Sequence, residues 1–191
     1  MADLGGKKFA FLVANEGVEQ VELVEPWNAV SRAGGEPVLI APQAGTVQAF
    51  DHLDKADTFT ASVAVADARV ADYEGLVLPG GVANPDQLRT KPDAVAFVKG
   101  FVDAGKPVAV ICHGPWTMVE AGVVRNRTLT SWPSLKTDIT NAGGHWVDRE
   151  VQVCEGAENV IVSSRKPADL DAFCTTFVDV FARPARTHAA A

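Results

Sequence analysis

Short apolar runs alternate along the chain with longer segments in which apolar residues recur every three or four positions. Such short runs are typical of buried parallel strands, and the longer spacing is typical of helices that cover a sheet. The alternation predicts an α/β fold with a mostly parallel sheet and helices on both faces. The clearest predicted strands are 8–13, 37–41, 75–78 and 108–111, and the clearest helices are 18–32, 92–104 and a last helix from Pro167.

The remaining segments predict smaller elements. Residues 46–50 and 58–65 form either a small hairpin or edge strands, and the sequence leaves both possibilities open. Asn84 is expected to cap a short turn that begins at Pro85. Short helices are expected at 115–121 and 134–142, and short strands at 128–130, 145–147, 151–154 and 159–162. No repeat or linker interrupts this order, which predicts one domain over residues 1–191.

Cys112 lies where the apolar run 108–111 stops and where Gly114 and Pro115 open a helix. Proline is favoured at the first helical position, because its missing N–H has no partner there. A cysteine between a strand and a helix N-terminus has the geometry of a nucleophile elbow, close to the positive end of the helix dipole. We therefore expect the thiol to ionise readily and to be the centre of the chemistry.

Other residues are candidates for the same site. His113 is a general base if its ring reaches the sulfur; otherwise it contributes its backbone N–H. Gly80 and Gly81 follow the strand 75–78, at the sheet edge where α/β proteins bind ligands, and let the backbone approach a ligand. Acidic residues recur at positions 16, 19, 22 and 25. They indicate a solvated helix face, or one glutamate that points at Cys112 and donates a hydrogen bond when protonated.

Composition excludes several classes of function. The net charge of −7 and the lack of a basic cluster argue against nucleic-acid binding. No apolar run is long enough to cross a bilayer, and the first residues lack a signal-peptide core, so we expect a cytoplasmic protein. Three widely spaced cysteines predict no disulfide framework. No phosphate-binding loop, dinucleotide fingerprint or metal-ligand spacing occurs, so we expect neither cofactor nor metal.

Six motifs together resemble the PfpI family of the ThiJ/PfpI superfamily, from residue 7 to about 182. They are Ala14-Asn-Glu-Gly-Val-Glu-Gln-Val-Glu-Leu, Leu78-Pro-Gly-Gly, Pro85-Asp-Gln-Leu-Arg, Val110-Ile-Cys-His-Gly-Pro-Trp, Thr130-Ser-Trp-Pro-Ser-Leu and Asn141-Ala-Gly-Gly. The resemblance implies a flavodoxin-like three-layer sandwich, related to class I glutamine amidotransferases, that forms dimers or hexamers.

The resemblance also implies roles for individual residues. Cys112 is then the nucleophile and His113 its partner, with Asp86 supplied by an adjacent subunit to orient the histidine. Glu22 matches the glutamate that hydrogen-bonds the cysteine, although a longer preceding loop lets Glu19 compete for that contact. The N–H groups of Gly81 and His113 would form the oxyanion hole, and Trp132 would be the aromatic residue of the substrate site.

Two functions remain as hypotheses. The first is a stress-related cysteine enzyme with hydrolase-type machinery, which acts on peptides or on glyoxal and methylglyoxal adducts as a peptidase, deglycase or glyoxalase. The second is a redox-sensing or chaperone-like stress protein in which Cys112 is oxidised to sulfinate. Asp86 favours the enzyme, because a sensor has no use for a carboxylate that orients a histidine.

Overall fold

The computed structural model describes residues 2–156 and 159–184. In chain order its strands are β1 (Lys8–Leu12), β2 (Glu16–Glu19), β3 (Glu36–Ala41), β4 (Gly45–Asp51), β5 (Asp54–Ala61), β6 (Val63–Ala64), β7 (Gly75–Leu78), β8 (Val108–Ile111), β9 (Thr128–Leu129), β10 (His145–Trp146), β11 (Val151–Glu155) and β12 (Val160–Ser164). Its α-helices are α1 (Gln20–Arg32), α2 (Ala83–Leu88), α3 (Pro92–Asp103), α4 (Pro115–Glu120), α5 (Lys136–Asn141) and α6 (Leu170–Phe181).

A seven-stranded sheet in the order β11-β12-β8-β7-β1-β3-β6 forms the centre of the fold. Its strands are parallel except β11, which runs antiparallel to β12 at the edge. This arrangement, with helices on both faces, confirms the predicted flavodoxin-like α/β sandwich. Because parallel strands end at the same edge, the segments after β7 and β8 meet there.

Side chains of β1 alternate between two apolar layers, one on each face of the sheet. Phe9 and Phe11 pack in the layer that contains residues of α1 and α6. Ala10 and Leu12 pack in the opposite layer with Phe101 of α3. Each of these side chains is fully buried, so the sheet rigidly supports the loops at its edges.

The chain before α1 differs from the prediction. Residues Glu16–Glu19 form strand β2, which pairs in parallel with β4, so the helix begins at Gln20 and not at residue 18. Gly17 has a φ of 100°, outside the helical range, which keeps this segment from joining the helix. The acidic residues at positions 16 and 19 are therefore on a strand, whereas Glu22 is in the first turn of α1.

Residues 45–61 form the hairpin that was one of the two predicted possibilities. Strands β4 and β5 pair antiparallel, and β4 joins β2, which gives a second sheet in the order β2-β4-β5. His52 and Leu53 lie at the tip of this hairpin, between Asp51 and Asp54. The hairpin brings these residues beside the carboxyl edge of the main sheet.

Asn84 does not cap a turn, contrary to the prediction, since it is the second residue of α2. Its buried side-chain oxygen accepts from the N–H of Ala14 at 2.6 Å, and its amide donates to the carbonyls of Pro79 and Gly80 at 3.0 Å. The side chain thereby fixes the turn after β7 against the end of β1. No helix of the described residues is long and apolar enough to cross a membrane.

Candidate active site

Cys112 directly follows β8 with a φ of 61°, a left-handed conformation that is costly for a residue with a side chain. Its N–H donates to the carbonyl of Ser164 at 3.1 Å, and its carbonyl accepts from the N–H of Trp132 at 2.9 Å. These two hydrogen bonds hold the strained residue on both sides. The backbone therefore has the sharp strand-to-helix turn that the sequence predicts, with Pro115 as the first residue of α4.

The imidazole of His113 faces the thiol of Cys112, the geometry that the sequence left open. Sγ of Cys112 lies 3.2 Å from Nδ1 of His113, and Nε2 lies 3.4 Å from Oγ of Ser134. The ring stacks on Trp132 at a centroid distance of 5.7 Å and tilts against Trp116 at 5.3 Å. Contacts with both indoles and with the hydroxyl thus restrict the orientation of the imidazole.

Glu22, and not Glu19, lies beside Cys112. The side chain of Glu22 is fully buried, and neither of its oxygens has a well-formed hydrogen bond among the described residues. Its carboxyl group packs against Gly80, and Cβ of Cys112 packs against the same glycine. Glu19 turns to the hairpin, where it accepts from the N–H of His52 at 3.2 Å.

The turn after β7 requires two glycines. A Cβ on Gly80 would collide with the carboxyl group of Glu22 and with Cβ of Cys112. Gly81 has a φ of 84°, and a Cβ there would lie 2.7 Å from the nitrogen of Glu19. The N–H groups of Gly81 and His113 act on the Cys112 sulfur and lower its pKa, as expected of two donors directed at the same atom.

Burial dominates the ionisation of this cluster. It raises the pKa of Glu22 to about 8, and the weaker influence of the Cys112 thiol opposes this shift. It lowers the pKa of His113 to about 4. Burial and the charge of Glu22 raise the pKa of the Cys112 thiol above its ordinary value. Burial therefore acts against the ready ionisation expected from the sequence, while the two N–H donors act in its favour.

A cavity of about 180 Å³ opens onto the sulfur. Its walls include Glu19, Glu22, Gly81, Cys112, His113 and Trp132, so the structure brings these predicted residues together. Asp86, in contrast, is an exposed residue of α2 and does not line this cavity. Ser134 and Trp116 were not singled out from the sequence, although Ser134 falls within the quoted motif Thr130-Ser-Trp-Pro-Ser-Leu and Trp116 ends the motif Val110-Ile-Cys-His-Gly-Pro-Trp.

One group of described residues has the composition of a metal site. Glu19, Asp51 and His52 each offer a ligand atom, and these atoms lie within 4.8 Å of one another. The imidazole of His52 is mostly exposed and lies 3.9 Å from Glu19 and 4.0 Å from Asp51, distances typical of weak ion pairs. Cys112 and His113 are not part of this group.

Gly80→Ala should destabilise the fold, because the added methyl group collides with the carboxyl group of Glu22 and with Cys112. We expect a loss of about 1–3 kcal/mol in the free energy of unfolding, measured by urea titration. Gly122→Ala is the control, since its methyl group meets nothing within 4 Å and only its left-handed backbone adds a cost. A Gly80→Ala protein as stable as wild type would contradict the packing of Glu22 against this turn.

Comparisons with known proteins identify the family and the fold. The model of the DJ-1/PfpI family matches residues 7–180. A deglycase from Pyrococcus horikoshii is 40% identical over 172 residues, which cover 90% of this chain and 97% of that protein. An uncharacterised protein of Staphylococcus aureus is 38% identical over 169 residues, 87% of this chain and 94% of its own length.

A solved structure gives the same picture of the fold. A two-domain protein of Anabaena variabilis with DJ-1/ThiJ/PfpI-like and ferritin-like domains superposes with a TM-score of 0.84 at 27% identity. The match covers 97% of this chain and 52% of that one.

Proposed function

The chain belongs to the DJ-1/PfpI family, and from this premise we propose that it is a stress-related, cysteine-dependent enzyme that removes glyoxal and methylglyoxal adducts. The observation that carries the proposal is the contact of 3.2 Å between Sγ of Cys112 and Nδ1 of His113, beside a buried carboxyl group. A thiol with a general base in reach is the arrangement that nucleophilic catalysis needs. The relatives named deglycases support this choice of reaction.

The proposed chemistry begins with the free aldehyde, which a methylglyoxal adduct releases reversibly from its amine or thiol. The sulfur of Cys112 adds to the aldehyde carbon, its proton passes to Nδ1 of His113, and Glu22 gives a proton to the carbonyl oxygen. Glu22 then takes the hydrogen of the same carbon and returns it to the neighbouring carbon. The oxygen on that neighbouring carbon takes the proton held by His113, and the hydroxyl on the first carbon returns its proton to Glu22. This isomerisation gives a lactate thioester, and water cleaves it into lactate and the free thiol.

The N–H groups of Gly81 and His113 suit the oxyanion that forms when the thioester is cleaved. A protonated Glu22 is required in this scheme, and its pKa of about 8 provides that form at neutral pH. The pKa of His113, about 4, leaves the ring free to accept the proton of the thiol. The thiolate then forms only as the carbonyl is attacked, which limits its exposure to other electrophiles.

Adducts fit the site better than peptides do. The cavity of about 180 Å³ holds a three-carbon carbonyl compound, whereas a peptidase needs a groove for several residues. We therefore propose the hydrolysis of adducts as the main activity and the hydrolysis of peptides as the less favoured one. The redox-sensing alternative is also weaker, because it gives no role to the imidazole that lies 3.2 Å from Sγ of Cys112.

The test is to incubate the protein with methylglyoxal-modified N-acetylarginine and N-acetylcysteine and to measure the released amino acid and lactate. A panel of fluorogenic peptides is assayed in parallel, and mass spectrometry follows Cys112 during mild peroxide treatment. We expect lactate from the adducts and slow or no cleavage of peptides. Rapid formation of sulfinate at Cys112 without any lactate would contradict the proposed enzyme and favour the redox-sensing alternative.

We also propose that the chain acts in the cytoplasm as a homo-oligomer, a dimer or hexamer, in which Asp86 of one subunit reaches the site of the next. The exposed position of Asp86 on α2 is consistent with such a role. Ser134 is the neighbour of Nε2 of His113 within the chain, and as a hydroxyl it orients the ring without adding charge.

Asp86→Ala and Ser134→Ala should separate these two positioning roles. If Asp86 acts across an interface, its loss lowers kcat by roughly tenfold or more, and wild-type activity per subunit falls on dilution. Ser134→Ala should lower kcat severalfold at any protein concentration, because its contact is within one chain. Concentration-independent wild-type activity together with a fully active Asp86→Ala protein would exclude the role across subunits.

A further inference from the structure

Three large apolar side chains are exposed in the described part of the chain, and all three line the pocket of Cys112. Leu53 is 92% exposed, Val82 59% and Trp132 39%. Exposed apolar residues that collect at one place indicate a contact surface, whereas scattered ones need no explanation. We call these three residues the apolar rim.

The apolar rim is built from three separate segments of the chain. Leu53 is at the tip of the hairpin between β4 and β5, and Val82 is the residue between Gly81 and α2. Trp132 stacks on the imidazole of His113, so its indole continues from the reacting groups to the mouth of the pocket. A substituent on a carbonyl carbon held at Sγ of Cys112 would therefore meet apolar surface on its way to solvent.

The charges around the pocket are acidic. Glu19 lines it, and Asp51 lies next to His52 at the mouth, while Glu22 is protonated at neutral pH and adds no charge. Among the residues that the structure describes, no lysine or arginine lines the cavity. His113 adds no positive charge, because burial lowers its pKa to about 4. His52 lies 3.9 Å from Glu19 and 4.0 Å from Asp51, so two carboxylates face that one imidazole. An anionic substituent would find no lysine or arginine in this lining and would be repelled by Glu19 and Asp51.

We propose that the pocket selects carbonyl compounds whose substituent beside the reacting carbon is uncharged and apolar, and rejects those that carry a carboxylate or phosphate there. This inference rests on the proposed function for its physiological meaning. The selection itself is a property of the pocket and can be measured without turnover.

Alkylation of Cys112 tests the selection directly. Iodoacetamide and iodoacetate differ in charge at nearly equal size, and phenacyl bromide and bromoacetone differ in an apolar ring beside the same carbonyl group. In each reaction the sulfur displaces the halide, and mass spectrometry of the Cys112 peptide gives the rate. The same four rates for a small neutral thiol give the intrinsic ratios. Two rate ratios describe the selection: iodoacetamide to iodoacetate (the neutral-to-anionic ratio) and phenacyl bromide to bromoacetone (the phenyl-to-methyl ratio). We expect each ratio at Cys112 to exceed its value for the small thiol by roughly tenfold.

Variants of the apolar rim and of the mouth locate the effect. Leu53→Gln should lower the phenyl-to-methyl ratio about threefold, whereas Leu53→Met, which keeps an apolar side chain, should preserve it. Asp51→Asn should raise the relative rate with iodoacetate severalfold. Ratios equal to those of the free thiol, or equal effects of Leu53→Gln and Leu53→Met, would overturn the inference.

The same selectivity is then measured in turnover with phenylglyoxal, methylglyoxal and 4-carboxyphenylglyoxal, which keeps the ketoaldehyde and adds a carboxylate to the ring. If no aldehyde is turned over but the alkylation ratios hold, the proposed function fails and the selectivity of the pocket stands. If the aldehydes are turned over but the ratios match those of the free thiol, the function stands and the selectivity fails.

Discussion

Replacing Cys112 by serine should lower kcat/KM for methylglyoxal adducts by at least roughly 10³-fold. The hydroxyl group keeps the position of the sulfur but holds its proton far more strongly than a thiol does. An oxygen is also an intrinsically weaker nucleophile than sulfur, so the contact with His113 cannot compensate for the exchange. The measurement is lactate release by purified wild-type and Cys112→Ser proteins under the same conditions.

The other two cysteines provide the controls for this experiment. Cys174 is buried on α6, and Cys154 is partly buried on the edge strand β11, so neither lies in the pocket of Cys112. Cys174→Ser and Cys154→Ser should keep the wild-type rate per folded molecule. Equal turnover by wild type and Cys112→Ser would show that another group is the nucleophile and would refute the proposed mechanism.

The sequence predicted those parts of the fold that depend on local pattern. Apolar runs identified the central strands, and Gly114 and Pro115 placed Cys112 between a strand and a helix. The segment before α1 was misassigned because its apolar residues suit a helix equally well, and its pairing with β4 depends on residues about thirty positions away. The role of Asn84 was missed for the same reason, since its partners are a distant strand end and a turn.

Six predicted residues line the cavity of the candidate site, whereas Asp86 does not, and the electrostatics of the site were not predicted. Motifs that follow the strands placed Cys112 and Gly81 at one edge of the sheet, where the structure has them. The ionisation of Cys112 depends on how much solvent the fold removes, and no local pattern encodes that quantity. The choice between Glu19 and Glu22 likewise depended on the strand β2, which turns Glu19 away to the hairpin.

Glu22→Gln should make the protein more stable at neutral and alkaline pH. The pKa of Glu22 is about 8 in the folded protein and 4.5 in the unfolded chain, so the folded state binds this proton more tightly. Stability therefore falls as pH rises from 4.5 to 8, because the unfolded chain is favoured by ionising first. Gln carries no proton to lose and avoids this cost, which is on the order of 3 kcal/mol at pH 7.

Urea titrations of wild type and Glu22→Gln at pH 4.5, 7 and 8.5 measure this difference. It should be small at pH 4.5, large at pH 7 and largest at pH 8.5, while the half-buried Glu25→Gln one turn away changes little throughout. A pH-independent difference would mean that Glu22 is not a buried, protonated acid. The same variant should lose most lactate production, since an amide donates a hydrogen bond but transfers no proton. A gain in stability that accompanies a loss of activity is expected where a buried acid is kept for chemistry and not for folding.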